Sequence, residues 1–148
     1  MKRILLLSLI AFNSYGQCWK TISAGAMHTI AIKTDGTLWA WGNNYSGPLG
    51  NGTEDPESAP IQIDTANDWK FIESGYAFNI AIKENGTLWA WGDNTEGQLG
   101  DGTTATRLSP VQIGNAANWK YVDAGWDHVV AIKTDGTLWT WGIITWGS

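Results

Sequence analysis

The chain has 148 residues, 18 glycines, 11 tryptophans and a formal net charge of −5, a length that predicts a single domain. An acidic surface repels phosphate backbones, so we expect no nucleic-acid partner. The lone cysteine, Cys18, excludes an internal disulfide, and packing alone must therefore stabilise the fold.

The first sixteen residues are typical of a secretory signal peptide. A basic pair at 2–3 precedes an apolar run at 4–12, which is too short to cross a bilayer core of roughly 30 Å. Ser14 and Gly16 are small residues at the −3 and −1 places for cleavage. We therefore expect residues 1–16 to be removed; a buried N-terminal element is the less favoured alternative.

Cleavage would leave residues 17–148 as a secreted or periplasmic chain without a membrane span. Its charge would be 7 − 14 = −7, since two of the nine basic residues lie in the signal peptide. Lipid attachment at Cys18 is less favoured, because Gln17 is a poor residue before a lipidated cysteine.

Three fifteen-residue segments of closely similar sequence recur at a spacing of fifty residues, at 28–42, 78–92 and 128–142. A fixed period predicts a repeat architecture, in which each unit buries its apolar face against the next unit. The expected repeats cover about 19–68, 69–118 and 119–148, the last one incomplete.

Each of the two complete repeats is predicted to form four strands. The first strand is 19–23, and a hairpin of 29–33 and 37–42 follows, with Asp35-Gly36 in a turn that needs a left-handed residue. A glycine-containing loop at 43–59 then leads to a short edge strand at 60–63, which begins with proline.

The strand at 37–42 is apolar on both faces, with Leu38 and Ala40 on one side and Trp39 and Trp41 on the other. Strands covered on both sides are typical of blades in a propeller or of coils in a β-solenoid. The sequence therefore predicts an all-β protein.

Three sequence features together resemble the regulator of chromosome condensation repeat family. They are Ala-Gly-x-x-His at 24–28, Asp-Gly-Thr-Leu-Trp-Ala-Trp-Gly at 35–42 and Asn-x-x-Gly-x-Leu-Gly at 44–50. The resemblance covers residues 19–147 and implies antiparallel four-stranded blades of a seven-bladed β-propeller. It also implies that the protein acts by binding other proteins. In that family such binding serves guanine-nucleotide exchange on a small GTPase and inhibition of β-lactamase, among other activities.

Seven blades would need roughly 350 residues, so this chain supplies a partial propeller of about two and a half repeats. After Gly142 the sequence Ile-Ile-Thr-Trp replaces the asparagine-rich start of the glycine loop. A reading-frame slip would restore those asparagines, and a genuine terminus closed by self-association is the alternative. Either way, we expect uncovered blade faces to drive self-association.

Most residues that recur are expected to be structural. The place of His28 and His128 is taken by Phe78 in the second repeat, a change that a catalytic or metal-binding role would not tolerate if each repeat had to act. The sequence from Asp93 to Asp101 lacks most ligands of a calcium loop and is interpreted as a connecting loop. The residues assigned to the structural repeat are His28, Trp39, Trp41, Gly42, Trp89, Trp91, Gly92, His128, Trp139, Trp141 and Gly142.

Binding is expected at positions that vary while the scaffold repeats, because loops on a rigid frame carry function. These positions are Met27, Tyr76, Trp126 and Asp127. The sequence Gly-Trp-Asp-His at 125–128 is similar to a Gly-Trp-Arg-His motif of the plant ultraviolet-B receptor in the same family, but the arginine is replaced by aspartate.

The sequence contains no motif of a nucleophile, a phosphate loop or paired carboxylates, and we predict no enzyme activity, cofactor or metal. We expect a secreted or periplasmic protein-binding module. The alternatives are nucleotide-exchange activity, which an exported chain does not favour, and a fragment with no function of its own.

Overall fold

A computed structural model describes residues 18–143, so the predicted signal peptide and residues 144–148 lie outside the described part of the chain. The described residues form eleven β-strands. Among these residues, no helix is long and apolar enough to cross a membrane. The strands are β1 (Trp19–Ala24), β2 (His28–Lys33), β3 (Leu38–Gly42), β4 (Glu57–Gln62), β5 (Trp69–Ser74), β6 (Phe78–Lys83), β7 (Leu88–Gly92), β8 (Arg107–Gln112), β9 (Trp119–Ala124), β10 (His128–Lys133) and β11 (Leu138–Gly142).

The strands form three antiparallel sheets, one for each repeat. The first sheet has the order β1-β2-β3-β4, the second β5-β6-β7-β8, and the third β9-β10-β11. Each strand pairs with its neighbour in sequence, as expected for a meander. The prediction of an all-β fold with four-stranded antiparallel blades is confirmed, with three strands described for the third blade.

The Asp-Gly-Thr-Leu-Trp motif, with asparagine in place of aspartate in the second repeat, closes each hairpin by side-chain hydrogen bonds. Asp35 Oδ1 accepts from the backbone N–H of Thr37 at 3.0 Å and from its hydroxyl at 2.7 Å, and that hydroxyl accepts from Trp39 Nε1 at 2.9 Å. Gly36 adopts a φ of 82°. The same three bonds recur in the second and third repeats. The repeated threonine therefore links the turn to the indole.

A buried asparagine organises the glycine loop. Asn44 Nδ2 donates to the backbone carbonyls of Thr53 and Asp55, both at 2.9 Å, and Asn44 Oδ1 accepts from Leu49 N at 2.9 Å. Asn94 makes the corresponding bonds in the second repeat. The loop therefore has a fixed shape, because one side chain satisfies three of its backbone groups.

The second and third sheets are each joined to the glycine loop of the preceding repeat by a tryptophan. Trp91 Nε1 donates to the Pro48 carbonyl at 3.0 Å, and Trp141 Nε1 donates to the Gln98 carbonyl at 3.0 Å. A Cβ at Gly50 would lie 2.7 Å from Trp91 Nε1, so glycine is needed where the indole packs on the loop.

Apolar side chains fill both spaces between sheets. The core side chains that the two facing sheets contribute are fully buried or nearly so, as in the stacked blades that the sequence predicts. The first core includes Ile30, Ile32, Leu38, Ala40, Leu49, Trp69, Ile72, Ala81 and Trp91. The second includes Phe78, Ile80, Ile82, Leu88, Ala90, Leu99, Ile113, Val122, Val129 and Ala131.

The fourth strand begins three residues earlier than the sequence predicts. Gly42 pairs with Glu57, so β4 starts before Pro60 and ends at Gln62, and β8 likewise starts before Pro110. Proline is tolerated because β4 pairs on one side only and its register shifts next to Gly42.

Candidate functional site

The three sheets are aligned so that equivalent loops lie side by side. Ala26 N donates to the Tyr76 carbonyl at 3.1 Å, and Tyr76 N donates to the Trp126 carbonyl at 3.2 Å. At the opposite end, Trp69 N donates to the Gly36 carbonyl of the preceding hairpin turn at 3.1 Å. We call the end with the loops of Ala26, Tyr76 and Trp126 the loop end, and the end with the hairpin turns, such as that of Gly36, the turn end.

The two ends differ in charge. The register that pairs Trp19 with Lys33 puts the lysines of all three described repeats at the turn end. The loop end has one basic side chain, Arg107, and seven carboxylates, a formal charge of 1 − 7 = −6 for the described residues. The loop-end carboxylates are Glu54, Asp55, Glu57, Asp93, Glu96, Asp101 and Asp127.

Packing of a ring on a glycine fixes the short loop between the first two strands of each sheet. A Cβ at Gly25 would lie 2.1 Å from His28 Cε1, and a Cβ at Gly75 would lie 2.0 Å from Phe78 Cε1. The Gly-x-x-His or Gly-x-x-Phe pattern is therefore a steric requirement. It holds the ends of the loop in place and leaves the two intervening residues free to vary.

Two of those intervening residues form an exposed aromatic pair. The rings of Tyr76 and Trp126 are stacked, with centroids 4.6 Å apart and planes 7° from parallel. Tyr76 is 46 % exposed and Trp126 is 67 % exposed. The hydrogen bond between their backbones holds the pair in place, because it sets the two loops side by side.

A cavity of about 260 Å³ lies next to this pair, between the first and second sheets. Its lining includes Met27, Tyr45, Pro48 and Tyr76. Met27 is 72 % exposed and Tyr45 is 80 % exposed, so their apolar surfaces are open to a partner. Tyr76 thus belongs both to the cavity and to the stacked pair.

His28 lies beneath the cavity in a buried polar network. Its Nε2 donates to Asn79 Oδ1 at 2.9 Å, and Asn79 Nδ2 donates to the Pro48 carbonyl at 2.6 Å. Ser74 Oγ also donates to Asn79 Oδ1, at 2.7 Å. Burial lowers the pKa of His28, although its hydrogen bond to Asn79 opposes that change. The imidazole is therefore neutral near pH 7 and joins the two sheets.

Carboxylates gather near the stacked pair, because Asp127 directly follows Trp126 in the chain. Desolvation raises the pKa of Asp127, and the negative charges of Asp93 and Glu96 raise it further, while His128 opposes them. Gln98 Nε2 donates to Asp93 Oδ2 at 3.1 Å. Three carboxylates from two neighbouring repeats therefore share one negative region.

In the loop that resembles a calcium site, the carboxylate of Asp101 already accepts hydrogen bonds from donors of the same loop and its neighbours. Desolvation disfavours ionisation of Asp101, but hydrogen bonds from Thr103, Arg107 and Asn94 outweigh it and lower its pKa to about 2. Arg107 Nη2 lies 2.7 Å from Asp101 Oδ2. Among residues 18–143, no three His, Cys, Asp or Glu side chains are placed to hold a metal ion.

The structure brings the predicted binding positions together at the loop end. Met27 and Tyr76 line the cavity, Tyr76 and Trp126 are stacked, and Asp127 joins the carboxylate group. Sequence reasoning missed Tyr45 and the role of Glu96 here. Their signal was present, since the corresponding residues of the other described glycine loop are Thr95 and Ser46.

Two family models of the regulator of chromosome condensation (RCC1) repeat match the chain. One covers residues 35–82 and 85–132, and the other covers 19–47 and 69–98.

Three solved structures show the same arrangement of strands. Human WBSCR16 is 18 % identical, with a TM-score of 0.74 over 84 % of this chain and 33 % of its own. Yeast RCC1 (Prp20) bound to Kap60 is 23 % identical, with a TM-score of 0.72 over 84 % of this chain and 32 % of its own. Prp20p from Saccharomyces cerevisiae, studied for its binding to Gsp1p and histones, is 25 % identical, with a TM-score of 0.68 over 83 % and 32 %. The chain therefore spans about a third of the length of these solved relatives.

Proposed function

Because this chain belongs to the regulator of chromosome condensation (RCC1) repeat family, we propose that it acts as a protein-binding module whose loop end contacts the partner. The yeast relative was solved in complex with another protein, Kap60, which supports protein binding as the type of function.

One observation carries this proposal: Tyr76 and Trp126 are stacked and exposed on loops that are otherwise fixed. Tyrosine and tryptophan are enriched among the residues that dominate binding energy at protein interfaces. Their rings are held in place before binding, so little conformational entropy is lost when a partner covers them.

We also propose that the chain is secreted or periplasmic, on the basis of the signal-peptide pattern in residues 1–16. N-terminal sequencing of the protein from its source should find Gln17 as the first residue. A mature protein that still begins at Met1 would exclude this location.

Self-association is the second part of the proposal. Ile22 on the first sheet is 64 % exposed and Leu138 on the third is 68 % exposed. Their equivalents at the interfaces between sheets, Ile72 and Leu88, are buried at 1 % and 0 %. A second copy would cover these faces in the way that neighbouring repeats already cover each other.

Affinity capture tests the partner surface. The full chain and a Tyr76→Ala/Trp126→Ala variant are immobilised and exposed to the secreted or periplasmic fraction of the source organism. Tyr121→Ala is the matched control, because Tyr121 is 50 % exposed and lies on β9, near the turn end. Proteins retained by the wild type and the control, but lost with the double variant, are the expected result. Equal retention by all three proteins would refute a loop-end interface.

A further inference from the structure

We propose that the loop end binds a basic segment of a partner protein, in which arginine or lysine side chains flank one apolar residue. This inference rests on the proposed protein-binding function and specifies the chemistry of the partner.

The charge distribution is the first argument. The described lysines lie at the turn end, and the loop end has a formal charge of 1 − 7 = −6. Among the described residues, Arg107 is the single cation of the loop end, and it is paired with Asp101: Arg107 Nε lies 2.8 Å and Nη2 2.7 Å from Asp101 Oδ2. A partner that brings positive charge would therefore approach the loop end in a favourable field.

The group of Asp93, Glu96 and Asp127 gives this charge a location. Desolvation raises the pKa of Asp127, and the negative charges of Asp93 and Glu96 raise it further, so the three carboxylates repel one another in the free protein. No described salt bridge involves any of them. An arginine or lysine from a partner would relieve this repulsion and would donate hydrogen bonds to the carboxylates.

The exposed indole of Trp126 gives the cation a second contact. At the turn end, the lysine that ends the second strand of a sheet already lies over an indole. Lys33 Nζ is 3.2 Å from the ring centroid of Trp39, and Lys133 Nζ is 4.0 Å from that of Trp139. Within the described residues, Trp126 has no such cation. A guanidinium over this ring would gain a cation–π contact next to Asp127.

The cavity fixes the apolar part of the segment. Its volume of about 260 Å³ suits one apolar side chain, and Met27, Tyr45 and Tyr76 offer apolar contact surface around it. Tyr76 lines the cavity and stacks on Trp126, and Trp126 directly precedes Asp127, so the aromatic pair connects the cavity to the carboxylate group. An extended segment across the loop end would therefore place an apolar residue in the cavity and a cation over Trp126.

Fluorescence anisotropy with three labelled peptides tests the inference on the full chain. The probe is Gly-Arg-Leu-Arg-Gly-Arg-Gly; one control has glutamate in place of every arginine, and the other has serine in place of leucine. We expect the probe to bind more tightly than both controls. Its Kd should rise about tenfold between 50 and 300 mM NaCl, because screening weakens exposed charge pairs.

Variants localise the binding. Asp127→Asn and Glu96→Gln should each raise the Kd of the probe about fivefold, as expected for loss of one charge pair, and Trp126→Ala about tenfold. Glu84→Gln is the matched control: Glu84 is an exposed carboxylate at the turn end, paired with Lys20, and its loss should leave the Kd unchanged. Circular dichroism melts verify that every variant is folded.

Equal binding of the basic and acidic peptides would overturn the inference, as would salt-independent binding or an equal loss in Glu84→Gln. If affinity capture depends on Tyr76 and Trp126 but the basic probe does not bind, the protein-binding function stands and this partner chemistry is wrong. If the capture is also independent of the aromatic pair, both proposals fail.

Discussion

The two interfaces between sheets use different chemistry at equivalent positions, and exchanging that chemistry gives the sharpest test of the structure. Between the first and second sheets, His28, Asn79 and Ser74 are joined by hydrogen bonds. Between the second and third sheets the equivalent residues are Phe78, Val129 and Ala124, of which Phe78 and Val129 are fully buried in one apolar core.

Breaking the polar network in one place should be costly. His28→Phe removes one donor from Asn79 Oδ1 but leaves the donor from Ser74 Oγ, so we expect a loss of about 1 to 2 kcal/mol. Asn79→Val leaves the buried Nε2–H of His28 without its acceptor, so we expect about 2 to 3 kcal/mol. The Pro48 carbonyl keeps its bond from Trp91 in both variants.

The triple variant His28→Phe/Asn79→Val/Ser74→Ala copies the second interface into the first. Because a fully apolar set leaves no buried donor unpaired, we expect its stability to lie within about 1 kcal/mol of the wild type. The losses from the single variants therefore should not add. For a triple variant as stable as the wild type, the coupling energy should be about 3 to 5 kcal/mol, the sum of the two single losses.

Urea unfolding followed by far-ultraviolet circular dichroism measures these values, provided that the slope m stays constant across the variants. Unfolding must be measured at one protein concentration, because self-association would stabilise the folded state. A triple variant that is less stable than either single variant would refute the reasoning, since the losses would then be additive and the two interfaces would not be interchangeable.

Three further predictions follow from the same structure. Burial lowers the pKa of His28, so the unfolded state binds more protons than the folded state. The free energy of unfolding should therefore fall as the pH decreases through 6.5 toward the folded-state pKa. His28→Phe should flatten this pH dependence in urea titrations between about pH 7.5 and 5. Gly50→Ala should cost about 2 to 4 kcal/mol, because φ is +76° and its Cβ would meet an indole at 2.7 Å, whereas Gly114→Ala, with φ of +63° and open space, should cost only about 1 to 2 kcal/mol. Sedimentation velocity should show concentration-dependent association of the wild type that Ile22→Lys or Leu138→Lys reduces, and a monomer at all concentrations would contradict it.

The hairpins could be predicted because their determinants are local. Asp35, Gly36 and Thr37 form the turn among themselves, and Trp39 is bound by the same threonine, so five residues contain the necessary signal. The predicted start of β4 was wrong by three residues, because the determinant of that start is not local. Its position is set by the pairing of Glu57 with Gly42 across a fourteen-residue loop, and the residues involved carry no alternating apolar pattern.

The candidate site could be predicted only in part. Variation between repeats identified Met27, Tyr76, Trp126 and Asp127, since each breaks an otherwise regular sequence. That two of them stack depends on backbone hydrogen bonds between loops fifty residues apart, which no local pattern encodes. The separation of lysines and loop-end carboxylates also required the strand register, because it depends on which end of each strand a residue occupies.

The pattern at the internal interfaces also indicates how a second copy would dock. The residue at the His28 position faces the Asn79 position of the following sheet, so in a head-to-tail pair His128 of one copy would face Thr29 of the next, a hydroxyl that can accept its N–H. Continuing the backbone hydrogen bonds of the loop end would likewise join Trp126 N to the Ala26 carbonyl. Such an interface joins two different surfaces, so it forms closed rings or open filaments rather than a symmetric pair. In either assembly the loop ends face the same way, and repeated aromatic pairs would offer a multivalent surface to one partner.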